Sequence, residues 1–191
     1  IFRTYFPAQE PDNHGFVQST RDLSAGRFIF LDTVLEGTHA GHLCETRLDW
    51  LAAALQDAED KDVFLFMHHP PCDTGLKASD KIGLQQQAAF KSVIAPHRNK
   101  LRHLFFGHVH RPIAGSWFGI PVSSVRALNH QIWFDLEADD LPGSFEPPAY
   151  CVALIDNERV IVHFHDFMDA SPKFSLHDSP WDDWSKRNRH P

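Results

Sequence analysis

The sequence predicts an α/β domain, and three observations predict it. Apolar runs of strand length, at 28–31, 63–67 and 101–106, alternate with segments of helical period at about 42–58 and 84–95. Each run is bounded by residues that stop regular structure, among them Gly26, Pro70, Pro71 and Gly107. Histidines follow directly on two of the runs, His68-His69 after the second and His108 and His110 after the third. Strand, helix, strand, helix, strand is the pattern of α/β folds, whose ligand sites gather in loops beyond the carboxyl ends of the strands.

The elements follow in order. Gly26-Arg27 leads into Phe28-Ile29-Phe30-Leu31, a short apolar run closed by Asp32-Thr33, which reads as a buried strand. From His42 the period changes: Cys44, Leu48, Leu51 and Leu55 recur at helical spacing with Ala52, Ala53 and Ala54 among them. Val63 to Met67 is again a strand, cut by His68-His69-Pro70-Pro71, where prolines remove ladder donors. The helix expected over 84–95 turns Ala88, Val93 and Ile94 inward and closes before Pro96. Leu101 to Phe106 is the third buried strand. Beyond Pro112 shorter strand-like runs, near 113–118, 121–125, 130–136, 150–155 and 159–167, suggest an antiparallel half.

Composition narrows the class. The chain has 191 residues, 42% hydrophobic and 23% charged, enough apolar material for a core and unlike disordered, collagenous or disulfide-scaffold proteins. With 18 Lys+Arg against 25 Asp+Glu the net charge is -7, so binding to a nucleic-acid backbone is not expected. Cys44, Cys72 and Cys151 are odd in number and show no C-x-x-C spacing, which argues against a disulfide framework or a cysteine zinc site and fits a reducing, cytoplasmic setting. No apolar run is long enough to span a bilayer, and no membrane partner is expected. The chain opens at Ile1 on an aromatic, loop-like stretch, so the natural protein is expected to start further upstream.

Fourteen of the 191 residues are histidine, the commonest metal ligand and the usual acid/base group near neutral pH. In a regular strand His108 and His110 would point to opposite faces. Either the Gly107 loop bends both rings together, or the rings serve two neighbouring ions about 3.5 to 4 Å apart. The plainer alternative is a polar turn with solvated imidazoles. His68, at the equivalent end of a different strand, tips the balance, because convergence of separate strand-end loops is what builds a site. His69 has an equal claim to bonding its own loop and to supporting a ligand.

Two segments carry a resemblance: Phe66-Met67-His68-His69-Pro70-Pro71 and Phe106-Gly107-His108-Val109-His110-Arg111-Pro112, with support from Leu31-Asp32-Thr33-Val34 and Leu48-Asp49-Trp50-Leu51. In this order, each after a strand, they resemble the calcineurin-like metallophosphoesterases, whose metal site is similar to that of the purple acid phosphatases. Gly119-Ile120-Pro121, Asn129-His130-Gln131 and Glu146-Pro147-Pro148-Ala149-Tyr150 are similar to the branch of bacterial cyclic-nucleotide and glycerophosphodiester phosphodiesterases. The resemblance runs from about residue 6 to 167.

That resemblance implies a four-layer sandwich, two mixed β-sheets face to face with helices outside, with 1–168 its C-terminal portion and 169–191 a tail. It implies two divalent metal ions, manganese, iron, zinc or cobalt. His68 and His108 would ligate one ion and His110 the other, and His130 would lie near the phosphate of a small phosphodiester substrate. Such ions acidify a water, polarise phosphoryl oxygens and stabilise the leaving oxygen. No residue of this chain is assigned as a catalytic acid or base. The family's upstream Asp-x-His, Gly-Asp and Gly-Asn-His-Asp or Gly-Asn-His-Glu elements, which supply the remaining ligands, are expected to be absent from this chain, and Phe2 to Pro7 resembles the stretch just after the last of them. Three neutral imidazoles offset none of the metal charge, so this chain alone is expected to be a poor catalyst. The alternatives are a non-catalytic protein-binding module on the same fold, and a phosphomonoesterase or pyrophosphatase of the same superfamily.

Other polar groups have plainer readings. His163, His165 and Asp166 fit a strand with one wetter face, Arg111 a carboxylate partner or else a helper toward the anionic substrate, Asp32 a hydrogen-bonded strand end, and His39 and His42 loop positions at the start of the first helix. Trp181 and Trp184 read as a tail anchor or a homo-oligomer contact.

Overall fold

The computed structural model of the chain describes residues 2–6, 11–173 and 175. After a short helix α1 (Phe2–Tyr5), strands β1 (Ser19–Leu23) and β2 (Gly26–Phe30) form a hairpin, followed by helix α2 (Glu45–Gln56) and strand β3 (Val63–Phe66). Helices α3 (Lys77–Asp80) and α4 (Gln87–Ile94) precede a 3₁₀ turn over Ala95–Lys100, and then come strands β4 (Leu101–Phe106), β5 (Ile113–Trp117) and β6 (Ile120–Ser124). The short strands β7 (Gln131–Ile132) and β8 (Gly143–Ser144) pair with each other, as do β9 (Tyr150–Ile155) and β10 (Val160–His165).

The main sheet has six strands in the order β1-β2-β3-β4-β6-β5, making a mixed α/β architecture. Strands β2, β3, β4 and β6 are parallel, and β1 and β5 run antiparallel at the two edges. The antiparallel half therefore holds one exception, since β6 joins β4 in parallel. One sheet face buries Ile29, Leu65 and Leu104 against Leu51 and Leu55 of α2 and Phe90 and Ile94 of α4. Burying side chains of this size gives about 1.5 to 3 kcal/mol each, which makes this layer the structural centre. The opposite face carries a ladder of rings: Phe30 on Phe66 at 4.8 Å, Phe66 on Phe105 at 4.8 Å and Phe105 on His103 at 4.3 Å. Parallel register places Phe30, Phe66 and Phe105 side by side across three strands, and His103 lies two residues from Phe105 on the same face of β4.

Several boundaries differ from the sequence expectation. Helix α2 starts at Glu45 rather than 42, because residues 41–43 are bound elsewhere: Gly41 bridges Leu84, the His42 N–H donates to the Thr33 carbonyl and the Leu43 N–H to Gln86 Oε1. Leu84 and Gln85 are thereby outside α4, whose buried residues are Phe90 and Ile94, while Ala88 is exposed. Arg47 joins the buried stripe of α2 because its guanidinium donates to the carbonyls of Asp32 and Val34 and lies over the Phe16 ring. The run at 130–136 shortens to two paired residues: the Trp133 N–H still donates to the Pro142 carbonyl, but Pro142 has no N–H to return the bond. Strand β1 has no sequence signature: Ser19-Thr20-Arg21-Asp22-Leu23 is a polar edge, as edge strands tend to be.

Among the described residues no helix is long and apolar enough to cross a membrane. All three cysteines are free thiols. Trp181, Trp184 and most of the 169–191 tail lie outside the described residues.

Candidate functional site

The site begins where the ladder of β3 and β4 runs past the last paired strand residues. The Met67 N–H donates to the Phe105 carbonyl at 3.0 Å and the Gly107 N–H to the His68 carbonyl at 2.9 Å. These bonds set His68 and the Gly107 loop side by side. A Cβ on Gly107 would stand 3.3 Å from His68 Nδ1, so glycine lets the two loops approach this closely.

The following residues separate the two candidate rings. Val109 is fully buried, and its N–H closes on the Gly107 carbonyl at 2.7 Å. On either side His108 and His110 adopt left-handed backbone, with φ of 68° and 50°. Histidine tolerates this region better than most residues, yet such backbone is strained and persists only where surroundings enforce it. Between them Val109 packs into the hydrophobic core. His108 Nδ1 comes within 3.4 Å of His68 Nε2, whereas the His110 ring lies 4.7 Å from the ring of His130. The two rings thus meet different neighbours, His68 for one and His130 for the other.

One nitrogen each from His68, His69 and His108 lies within 4.8 Å of the others, a set able to hold a cation. His69 is already engaged. Its Nε2 donates to the His39 carbonyl at 3.0 Å, its Nδ1 accepts from the Thr33 hydroxyl at 2.8 Å, and its ring is buried. It supports the loop, one of its two readings from sequence. His108 Nε2 and His110 Nδ1 are buried with no hydrogen-bond partner, the state expected of lone pairs kept for a ligand.

The rings are held neutral. Burial, reinforced by the neighbouring His69 and His110, lowers the pKa of His68 to about 4, although the residue opens on solvent along the cleft. Burial and the surrounding imidazoles take His108 to about 3. His110 and His69 are lowered chiefly by burial as well. Neutral imidazole is the ligating form. The donor set fits divalent metal: His68 and His108 would hold one ion and His110 would contribute to a second.

His68 also lines a cleft of about 800 Å³ with Thr33, Asp32 and Arg47. Asp32 is structural, as expected, its carboxylate accepting the N–H groups of Val17 and Val34 at 2.9 Å. The tripeptide Asp12-Asn13-His14 spells Asp-x-His, correcting the expectation that no such triplet occurs in the chain. It lies in a loop before β1, where Asp12 caps its own turn through the N–H groups of His14 and Phe16.

On the other flank Arg111 pairs with a carboxylate, as read from sequence. Its Nη1 donates to Glu146 Oε2 at 2.7 Å and to the Ile132 carbonyl at 3.2 Å. Glu146 also receives Arg126 at 3.3 Å, and Arg126 donates to Asp166 at 2.8 Å. Burial would raise the Glu146 carboxyl, but the Ser144 hydrogen bond and both guanidiniums outweigh it and hold the group below its usual range. Neither Thr33, Gly41 nor this ion-pair chain is marked as site-building by its own residue pattern. Only the Leu31-Asp32-Thr33-Val34 and Glu146-Pro147-Pro148 segments flag their places.

No protein-family profile matches the chain. A probable cyclic nucleotide phosphodiesterase of Rhodopseudomonas palustris is 46% identical over 182 residues, covering 93% of this chain and 66% of that protein. A probable glycerophosphodiester phosphodiesterase of Arcobacter nitrofigilis is 35% identical over 64% of this chain and 45% of its own length. The 3',5'-cyclic adenosine monophosphate phosphodiesterase of Escherichia coli K12 is 30% identical over 49% and 34%. The chain thus spans about two thirds of the first of these relatives and under half of the other two. In fold it is similar to a dimetal phosphatase from Danio rerio, with a TM-score of 0.59 at 14% identity over 83% of this chain and 60% of that one.

Proposed function

Because the chain is a relative of the calcineurin-like metallophosphoesterases, we propose that the protein hydrolyses small phosphodiesters, of cyclic-nucleotide or glycerophosphodiester type, at a two-metal site. The observation that carries the reading is the convergence of neutral His68 and His108 from adjacent parallel strands, with buried, partnerless nitrogens on His108 and His110. Divalent ions held there supply an acidified water as nucleophile and positive charge for the phosphoryl oxygens and leaving group.

The chain's own residues do the positioning. His68 and His108 present their nitrogens from one ladder and so keep a fixed separation. His69, locked between Thr33 and the His39 carbonyl, walls the site and keeps water from rearranging it. His130, exposed beside His110, orients the substrate phosphate by hydrogen bonding. A net charge of -7 makes bound cations the source of attraction for an anionic diester.

The test is His68→Ala and His110→Ala in the full-length protein, read as metal-dependent hydrolysis of bis(p-nitrophenyl) phosphate and as bound metal per chain. Both should fall, His68→Ala emptying one position and His110→Ala the other. Unchanged hydrolysis with unchanged metal content would defeat the assignment.

A further inference from the structure

We propose that Glu146 is a positioning residue for the phosphate side of the site, holding the His130 segment in place through two arginines. The inference rests on the phosphodiesterase reading and extends it to a residue outside the metal cluster.

The His130 segment has almost no secondary structure of its own, so its conformation has to come from elsewhere. Its two-residue strand β7 pairs only with β8. The fully buried Gln131 closes a small ring, its amide accepting the Ala127 N–H and donating to the Ala127 carbonyl, both at 2.9 Å. That ring shapes residues 127–131 but does not attach them to the sheet. Attachment comes from Glu146. One oxygen takes Arg111, whose same Nη1 holds the Ile132 carbonyl, and the other takes Arg126. A single carboxylate therefore grips the segment just before and just after His130.

Arg111 follows His110 directly, so the same carboxylate ties the His130 segment to the loop carrying the His110 ring, 4.7 Å from that of His130. Ser144 fixes the carboxylate with a further bond at 2.9 Å, and the Arg126–Asp166 pair anchors the far end on the segment after β10. The four charges alternate, Asp166, Arg126, Glu146, Arg111, and sum to zero. Side-chain exposures of 15% and 25% for Arg111 and Glu146 leave their bond partly desolvated, so it is worth more than an open surface pair. Without Glu146 the two guanidiniums would repel each other, Arg126 would lose its link to Arg111, and the Arg111–Ile132 bond would lose the carboxylate that orients it.

The experiment uses the full-length protein loaded with manganese and compares Glu146→Gln, Arg126→Met and the double variant. Expected for Glu146→Gln is a KM for bis(p-nitrophenyl) phosphate raised about tenfold, with kcat within about twofold of wild type. The double variant should be no worse than the worse single variant, because the two changes cut one connection. Hydrogen exchange should quicken over 126–132 while the thermal midpoint and exchange in β3 and β4 hold. An unchanged KM with unchanged exchange over 126–132 would overturn the proposal, as would a fall in kcat at constant KM. If wild type shows no metal-dependent hydrolysis, the phosphodiesterase reading fails and the role falls with it; wild-type activity with an indifferent Glu146→Gln removes the positioning role alone.

Discussion

Thr33 and His69 are joined twice: the threonine hydroxyl receives the His69 backbone N–H at 3.5 Å and donates its proton to His69 Nδ1 at 2.8 Å. The His39 carbonyl can only accept, so His69 Nε2 carries the ring proton and Nδ1 the lone pair. Thr33→Val keeps the shape and removes both bonds, leaving a buried Nδ1 without a partner. The expected cost is about 1 to 3 kcal/mol in chemical denaturation. Thr33→Ser, which keeps the hydroxyl, should recover most of it.

Gly41 determines whether His69 fits at all. A Cβ there would lie 2.3 Å from His69 Cγ, while the backbone of residue 41 is tied to Gly83 and Gln85 and cannot retreat. Gly41→Ala should destabilise the fold by about 1 to 3 kcal/mol through overpacking. Ring resonances of His68, His69 and His108 should shift together in NMR spectra, since these rings touch one another.

Val109→Ala trims the buried side chain wedged into the core between His108 and His110. The lost burial and the cavity should cost about 2 kcal/mol of stability. Bound metal per chain should fall as well, although no ligand has changed. Full metal content in a destabilised Val109→Ala protein would show that the wedge does not set the ring positions.

Acid should unfold the protein partly through His103. This ring is buried on β4, bonded to Ser123 at 2.8 Å, and burial lowers its pKa from the ordinary 6.5 to about 4. The unfolded chain therefore takes up the proton first as pH falls. The contribution of His103 is intact above pH 6.5, is lost progressively between 6.5 and about 4, and is level below that. The full loss is roughly 3 kcal/mol. His103→Gln should flatten the slope of stability against pH in this window and leave the neutral-pH arm little changed.

The parallel core was legible in the sequence because its signals are local. Val63 to Phe66 is a continuous apolar run and Leu101 to Phe106 is interrupted only by Arg102 and His103, each with an abrupt stop, and the His68 and His108 loops are placed by those stops. Whatever depends on pairing between distant segments escaped. Gly41 and Leu84 are 43 positions apart, and their bridge shortens two helices at once. Glu146 lies 35 residues from Arg111, and nothing local distinguishes its carboxylate from any exposed acid. The different neighbours of His108 and His110 likewise go with a left-handed backbone around a buried valine that no periodicity announces.

That backbone sets two demands against each other at the same positions. Glycine would occupy the conformations of residues 108 and 110 with less strain than histidine does. Selection for thermal robustness alone would thus drift toward a loop without its imidazoles, which on the proposed two-metal reading is a sturdier protein with fewer ligands. The histidines persist at a standing cost in foldedness, and directed evolution for stability should be expected to erode this loop first unless ion binding is screened in parallel.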